Sequence, residues 1–462
     1  MNIQKAFKAF ISTALVLTAV NVNAQEKSLE ARVSELEAHN MLNYFTFAGL
    51  LETRYDSIKT DRKANATTSP AQTAIDGSTQ FLRVKSSLDV NANVSDKIKF
   101  YSRYTASKFF NTLNSTGGTQ LILNEAYQGR DFGGAAVYVE KAYGDYTFFQ
   151  NDSSSAVFSF GRLPTSDGPP INMINGRPRQ GTFALLAYNS NFDGFGLSYN
   201  KKLDDNQSVS ARFLYTPLSA VYRGSATGSL AYLTPYVAQP GTRVNNLTDI
   251  NSLILEYGNK DIKYAENFSL IYHGFMTGNF GFADKQLNSA AGSNVYTGLT
   301  ESSIELHSLT ATMDNIANLN LDLGLSVTST KIKNSGVLTS AAPSVAPTVY
   351  GVAARSQGET VNGSETLVNV KYRFNSKYAL GAEFLNNKDA YSSSFTNDDL
   401  TQYYRTQGSA YQVYALVKPE SELTLRFGYT HQDWDRTTQT LGPSTDTDMN
   451  IDTYYTNIRL DF

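Results

Sequence analysis

The chain has 462 residues, of which 41% are hydrophobic, with 29 Tyr, 26 Phe, no Cys and a formal charge of −3. The lack of cysteine excludes disulfides, thiolate metal sites, a cysteine nucleophile and a lipid-anchored N-terminus, and the mildly acidic balance lacks the basic footprint of a nucleic-acid-binding protein. The hydrophobic share is low for a helical membrane protein, whereas abundant Tyr and Phe suit half-exposed strands with aromatic girdles.

In chain order, Lys5 and Lys8 precede an apolar run from Ala9 to Val20, and Val22, Asn23 and Ala24 offer small residues at a cleavage position. This is the three-part pattern of a secretory signal, predicted to be cleaved after Ala24. The run is shorter than the ~20 residues that a spanning helix needs. Between Gln25 and His39, Leu29, Val33 and Leu36 recur at helical spacing among Glu and Arg. The pattern predicts a short periplasmic amphipathic helix or coiled coil over 25–40, able to support a trimer. A lead-in helix and a plug resting in a barrel are the alternatives.

From residue 41 to 462 the chain reads as strands and loops. Leu319 to Val327, Leu423 to Tyr429, Val368 to Phe374, Ile98 to Tyr104 and Val209 to Tyr215 each alternate apolar and polar residues. The last stretch, Asp452 to Phe462, does the same, with Tyr454, Thr456, Ile458, Leu460 and Phe462 on one face and Tyr455, Asn457, Arg459 and Asp461 on the other. A soluble sandwich shows such faces too, but its connections do not alternate in length. Here short turns (94–96, 204–206, 261–266, 315–318, 375–377, 419–422) alternate with eight long Gly/Ser/Thr/Asn-rich loops. Short periplasmic turns and long outer loops are the pattern of an up-and-down barrel in the outer membrane, and eight hairpins make sixteen strands. Two places resist this reading. Residues 183–188 resemble a strand but are assigned to the third loop or the top of the next strand. Residues 144–155 read as a turn of unusual length. The stretch 279–300 is among the long loops.

The third loop is the most distinctive stretch. Four of the 12 prolines fall between Pro164 and Pro178, interleaved with Gly161, Gly168, Gly176 and Gly181. Such a loop holds its shape at low entropy cost. Carrying Asp167, Arg177 and Arg179, it has the rigidity and charge that a pore constriction needs. A loop packed on the outer rim is the alternative. On the first three strands, parity places Arg54, Arg83, Lys85 and Arg103 opposite the apolar face, which makes a basic ladder inside the lumen and predicts a leaning towards anions. The plainer alternative is a solvated polar face without selectivity.

The loop pattern with Gly161-Arg162 at the end of a strand, together with the C-terminal strand ending in Phe462, resembles Gram-negative outer-membrane porins. The run G-R-x-P-T-x-D-G-P-P is similar to one in porin-like outer-membrane proteins of proteobacteria. The resemblance covers the mature chain in architecture but only these two segments in motif. It implies an all-β, 16-stranded antiparallel barrel assembled as a homotrimer and embedded in lipid bilayer and lipopolysaccharide. The third loop would fold into the lumen after Arg162, and small hydrophilic solutes would cross by passive diffusion. A substrate-specific channel and a structural or surface-interaction barrel (an adhesin or receptor) are the rival readings. No enzyme is expected. The histidines are His39, His273, His307 and His431, none has a serine at motif spacing, and His431 with Asp433 is the nearest approach to an acid–base pair. Nor is a cofactor or metal expected. Asp446 to Asp452 spaces oxygen ligands like a calcium loop but has Ile451 and Asn457 where that loop needs Gly and Glu.

Overall fold

The computed structural model describes residues 44–64, 74–110, 137–179, 181–187, 191–218, 248–288, 293–334, 360–390, 403–436 and 446–462. The leader and the helix expected over 25–40 lie outside the described residues. The strands are β1 (Phe45–Arg62), β2 (Ile75–Asn93), β3 (Ile98–Phe110), β4 (Val137–Gln150), β5 (Ser154–Leu163), β6 (Phe192–Lys202), β7 (Gln207–Leu218) and β8 (Thr248–Ile262). They continue as β9 (Ala265–Asn288), β10 (Ser293–Asp314), β11 (Leu321–Asn334), β12 (Thr360–Arg373), β13 (Tyr378–Lys388), β14 (Gln407–Val417), β15 (Leu423–Arg436) and β16 (Asp446–Asp461). Each pairs antiparallel with its neighbours in sequence, and β1 pairs with β16, so the sheet closes as a 16-stranded barrel. The expected strand number and closure are therefore the observed ones.

Closure is made at the C-terminus. The Phe462 amide donates to the Gly49 carbonyl at 3.0 Å, and the Gly49 amide donates back to the Phe462 carbonyl at 2.7 Å. The Phe462 ring lies over Gly49, where an added Cβ would stand 2.5 Å from it.

Alternation decides which side chains face in. On β1, Leu51 and Tyr55 are exposed, whereas Glu52, Arg54, Asp56 and Ile58 are buried. The same parity leaves Leu253, Leu255, Leu309, Leu325, Val327, Phe384, Phe427 and Ile458 exposed around the outside. On β16, Tyr454 and Ile458 point out and Tyr455 and Asn457 point in, as the sequence predicts.

The short turns are built by asparagine and aspartate. Asn375 Oδ1 accepts the amides of Lys377 and Tyr378, Asp204 Oδ1 those of Asn206 and Gln207, and Asn151 Oδ1 those of Ser153 and Ser154. Such side-chain-to-backbone bonds stabilise tight turns. In the 315–320 turn, Asn315, Asn318 and Asn320 take positive φ, which asparagine tolerates better than most residues.

Two stretches differ from the sequence-based reading. Residues 144–150 are strand, and the turn is only 151–153. A bulge at Thr147/Phe149 breaks the alternation there and one at Arg103/Tyr104 breaks it earlier in β4, which disguises the strand. The 279–300 stretch is mostly paired backbone: β9 and β10 run to Asn288 and from Ser293, with bulges at Tyr296/Gly298 and Ser302/Ile304. Its Gly, Ser and Asn content signals a loop, but cross-strand pairing overrides that local preference.

Candidate functional site

The third loop connects β5 to β6 and carries a short helix, α1 (Ile171–Ile174). Its stem is a close chain crossing. The Leu185 amide donates to the Pro169 carbonyl at 3.1 Å. A Cβ on Gly168 would collide with the Phe183 carbonyl, and one on Gly181 would meet the Ser166 carbonyl at 2.7 Å. Asp167 sits between them at φ 60°, and the Pro169–Pro170 bond is cis. Gly161 has φ 117° and lies against the β4 backbone at Ala142. These contacts explain the glycines of the G-R-x-P-T-x-D-G-P-P run: the backbone passes too close for a side chain.

The loop lies against inward-facing wall residues on one half of the barrel. Phe183, Ala184 and Ala187 pack with Leu214 of β7, Ile250 and Ile254 of β8, Ile271 and Phe275 of β9, and Ile304 and Leu306 of β10. Ile171, Ile174, Leu185 and Leu186 pack with Leu367 of β12, Leu385 of β13, and Ala410, Tyr414 and Leu416 of β14. Pro170 and Met173 sit over Gly324 of β11, where a Cβ would meet Pro170 at 2.7 Å. Residues 184–187 are fully buried. At about 25 cal/mol per Å² of apolar surface removed from water, a seam of this extent holds the loop in place. Polar ties add to it: Arg426 donates to Asn175 Oδ1 at 2.8 Å, and Lys418 Nζ donates to the Gly176 carbonyl.

The other half of the wall, β15, β16 and β1 to β5, is charged, and four residues of the basic ladder lie there. Arg54 pairs with Asp56 at 2.8 Å and stacks its guanidinium 4.5 Å from the Tyr455 ring centroid. Arg83 stands 3.7 Å from Glu52, which also faces Arg459 at 3.7 Å. Lys85 is opposite Glu52 in register, on the same inward face. Arg103 makes two bonds to Asp89, at 2.7 and 2.8 Å, and stands 3.6 Å from Glu140. Every cation of the ladder thus has a carboxylate beside it, so the wall is an ion-paired lattice rather than a bare basic strip.

The other four predicted residues are distributed around the loop. Arg162, at the loop's entry, donates to the Glu140 carbonyl at 3.1 Å and pairs with Asp193 at 3.5 Å. Asp167 is the loop's acidic edge, and its charge acts on Arg103, Lys141 and Arg459 of the facing wall. Arg177 crosses to that wall and pairs with Asp461. Arg179 turns the opposite way, to Glu256 of β8 and, at 3.0 Å, to Ser269 Oγ. Asp167 and Arg177 therefore face the wall that carries the ladder, and Arg179 does not.

Sequence reasoning missed two features. Glu140 and Lys141 both face inward because the bulge at Arg103/Tyr104 inserts a residue: Thr105 Oγ1 donates to Glu140 at 2.5 Å, and Lys141 stands 3.8 Å from Asp89. The apolar half-wall was the other. Its signal is the near-continuous apolar run of Leu253, Ile254 and Leu255, or of Leu270 and Ile271, where a strand facing water on one side would alternate.

Comparison with known proteins gives a family. Residues 78–441 match the family described as Protein of unknown function (DUF3373). The chain belongs to this family. The matched span runs from within β2 to just past β15 and contains the whole third loop. No curated protein matches the chain. Solved structures similar to it include a loop L8 deletion mutant of OmpT, an outer-membrane protein of Vibrio cholerae, at 10% identity and TM-score 0.46, over 90% of this chain and 99% of that one. Salmonella typhi OmpF in complex with daunomycin is similar at 12% identity and TM-score 0.44, over 90% and 97%.

Proposed function

We propose that this protein is a porin: a passive diffusion channel for small hydrophilic solutes and ions across the outer membrane of a Gram-negative bacterium. The observation that carries this reading is the asymmetry of the interior. The third loop covers the apolar inner faces of β7 to β14 and leaves its acidic edge, Asp167, facing the ion-paired wall of β1 to β5 and β16. A path between this edge and a wall of paired charges suits hydrated solutes, and barrels of this strand number leave room for an aqueous channel. The exposed apolar belt suits contact with lipid, and a closed sheet has no edge to satisfy there. Short turns then face the periplasm and long loops the exterior. Export by the cleaved leader, contact with lipopolysaccharide and assembly as a trimer belong to the same reading, which involves no catalysis. Of the candidate acid–base groups, His431 pairs with Asp452 at 2.8 Å on the outer face of the barrel rather than with Asp433.

The test is conductance of the purified, SDS-resistant protein in a planar bilayer. Steady stepwise openings, raised when residues 171–176 are deleted, are the expected result. Silence from folded protein would overturn the channel. A surface-interaction barrel is the second reading, favoured by the β9–β10 ribbon, whose strands of 24 and 22 residues outrun all others. It predicts that deleting the ribbon's outer part abolishes cell-surface adhesion or phage binding without touching conductance.

A further inference from the structure

At the short-turn rim of the β7–β14 half, the third loop roofs a chamber of about 570 Å³. The loop segment from Asn172 to Arg179 forms one wall, and the turns after β6, β12 and β14 with the adjoining ends of β8, β9 and β10 contribute the others. Seven of the lining side chains are cationic, three are carboxylates and five are asparagines. Two of the three carboxylates are shared between two cations each. Asp322 holds Lys371 at 3.0 Å and Arg373 at 2.9 Å, and Glu256 holds Arg179 together with Arg212 at 2.9 Å. Lys418 gives one of its three ammonium hydrogens to a backbone carbonyl, which carries no formal charge. Lys260 and Lys377 line the same space and pair with no carboxylate among the described residues. On the opposite wall a carboxylate stands beside every cation of the ladder, whereas in the chamber Lys260, Lys377 and Lys418 pair with none among the described residues.

We propose that this chamber is a binding site for small hydroxylated organic anions, a sugar acid or sugar phosphate, reached from the short-turn side. Positive charge in a concave, partly low-dielectric space focuses its field and concentrates anions. Arginine forks bind carboxylate and phosphate in two-point geometry, and asparagine amides donate and accept in the way hydroxyl groups require. Leu416 and Phe268 give the lining apolar faces. The volume lies within the roughly 300–1,000 Å³ typical of small-molecule sites. A cation is disfavoured by the charge balance, a neutral sugar does not use the field, and a bare inorganic ion does not use the amides. The proposal rests on the channel reading only for the direction of access; binding itself is independent of conduction.

The experiment is calorimetric titration of the full-length, folded protein in detergent with gluconate, glucose 6-phosphate, inorganic phosphate and glucose. Saturable binding of gluconate or glucose 6-phosphate that weakens with salt is expected, with glucose and inorganic phosphate each at least about tenfold weaker. A preference between the two organic anions tells carboxylate from phosphate. The double variant Arg373→Gln/Lys377→Gln should weaken binding at least about tenfold, because each lost charged contact is worth roughly that factor. It leaves Lys371 to hold Asp322, so the fold is kept. The double variant Lys97→Gln/Lys99→Gln, an equal change of charge at another short turn, should leave binding unchanged. Equal affinity for glucose, unchanged binding by an SDS-resistant double variant, or no saturable binding at all would each overturn the site. Binding by a protein that does not conduct would overturn the channel and leave the site standing. Conduction without saturable binding would do the reverse.

Discussion

Gly168 shows how one missing side chain positions a functional element. The chain crosses itself there so closely that a methyl group would meet the Phe183 carbonyl. The crossing presents Asp167 to the charged wall and turns residues 184–187 into the apolar one. Gly168→Ala should therefore undock the loop while leaving the barrel closed. The expected outcome is a larger, noisier single-channel conductance with unchanged resistance to SDS. Unchanged conductance would mean that the loop does not narrow the path. Several residues of this site were legible in the sequence because strand parity reports which way a side chain points. Arg54, Arg83, Lys85 and Arg103 face inward as parity predicts. Parity says nothing about partners, however. Asp56 lies two residues from Arg54, and Asp89 is paired to Arg103 across a strand boundary whose register no local pattern reveals. Glu140 was hidden for another reason, since a bulge shifts the phase of everything beyond it.

At the scale of elements, the alternation of short and long connections carried the strand count, because each connection type belongs to one rim of the barrel. It erred where composition and pairing conflict. The β9–β10 ribbon has a loop's residues but a ladder's hydrogen bonds, and β4 loses its period at two bulges. The last strand was the most legible, with an unbroken alternation and an aromatic end. Its partner at the seam was not foreseeable. Gly49 receives the Phe462 ring, and both backbone groups of Phe462 bond to Gly49. Gly49→Leu should displace the ring and slow closure, which is measurable as a smaller SDS-resistant fraction after refolding into vesicles. A yield equal to the parent protein would mean that the seam closes without this contact.

The whole molecule is a shell with two different inner surfaces and one outer surface. The outer one is testable by depth. Leu325 stands in the middle of an exposed apolar row on β11, whereas Leu319 lies in a short turn at the rim. Arginine near the midplane of a lipid-facing barrel surface costs about 2–4 kcal/mol, and close to nothing near the boundary. Leu325→Arg should lower stability to denaturant in vesicles by about that amount, and Leu319→Arg by about 1 kcal/mol or less. Equal effects at both positions would place the bilayer elsewhere on the barrel.

The seam between the third loop and the β7–β14 wall also bears on how this chain can change over generations. A loop that packs against nothing can lengthen or shorten at little thermodynamic expense, since loop entropy grows only slowly with length. The third loop lacks that freedom. Losing a turn of it would strand Ile254, Leu306 and Leu367 against water, and a longer one would have nowhere to go in a close-packed seam. Insertions and deletions between β5 and β6 should then survive only alongside substitutions on the inner faces of β8, β10 and β12, so that loop length and wall composition are inherited together.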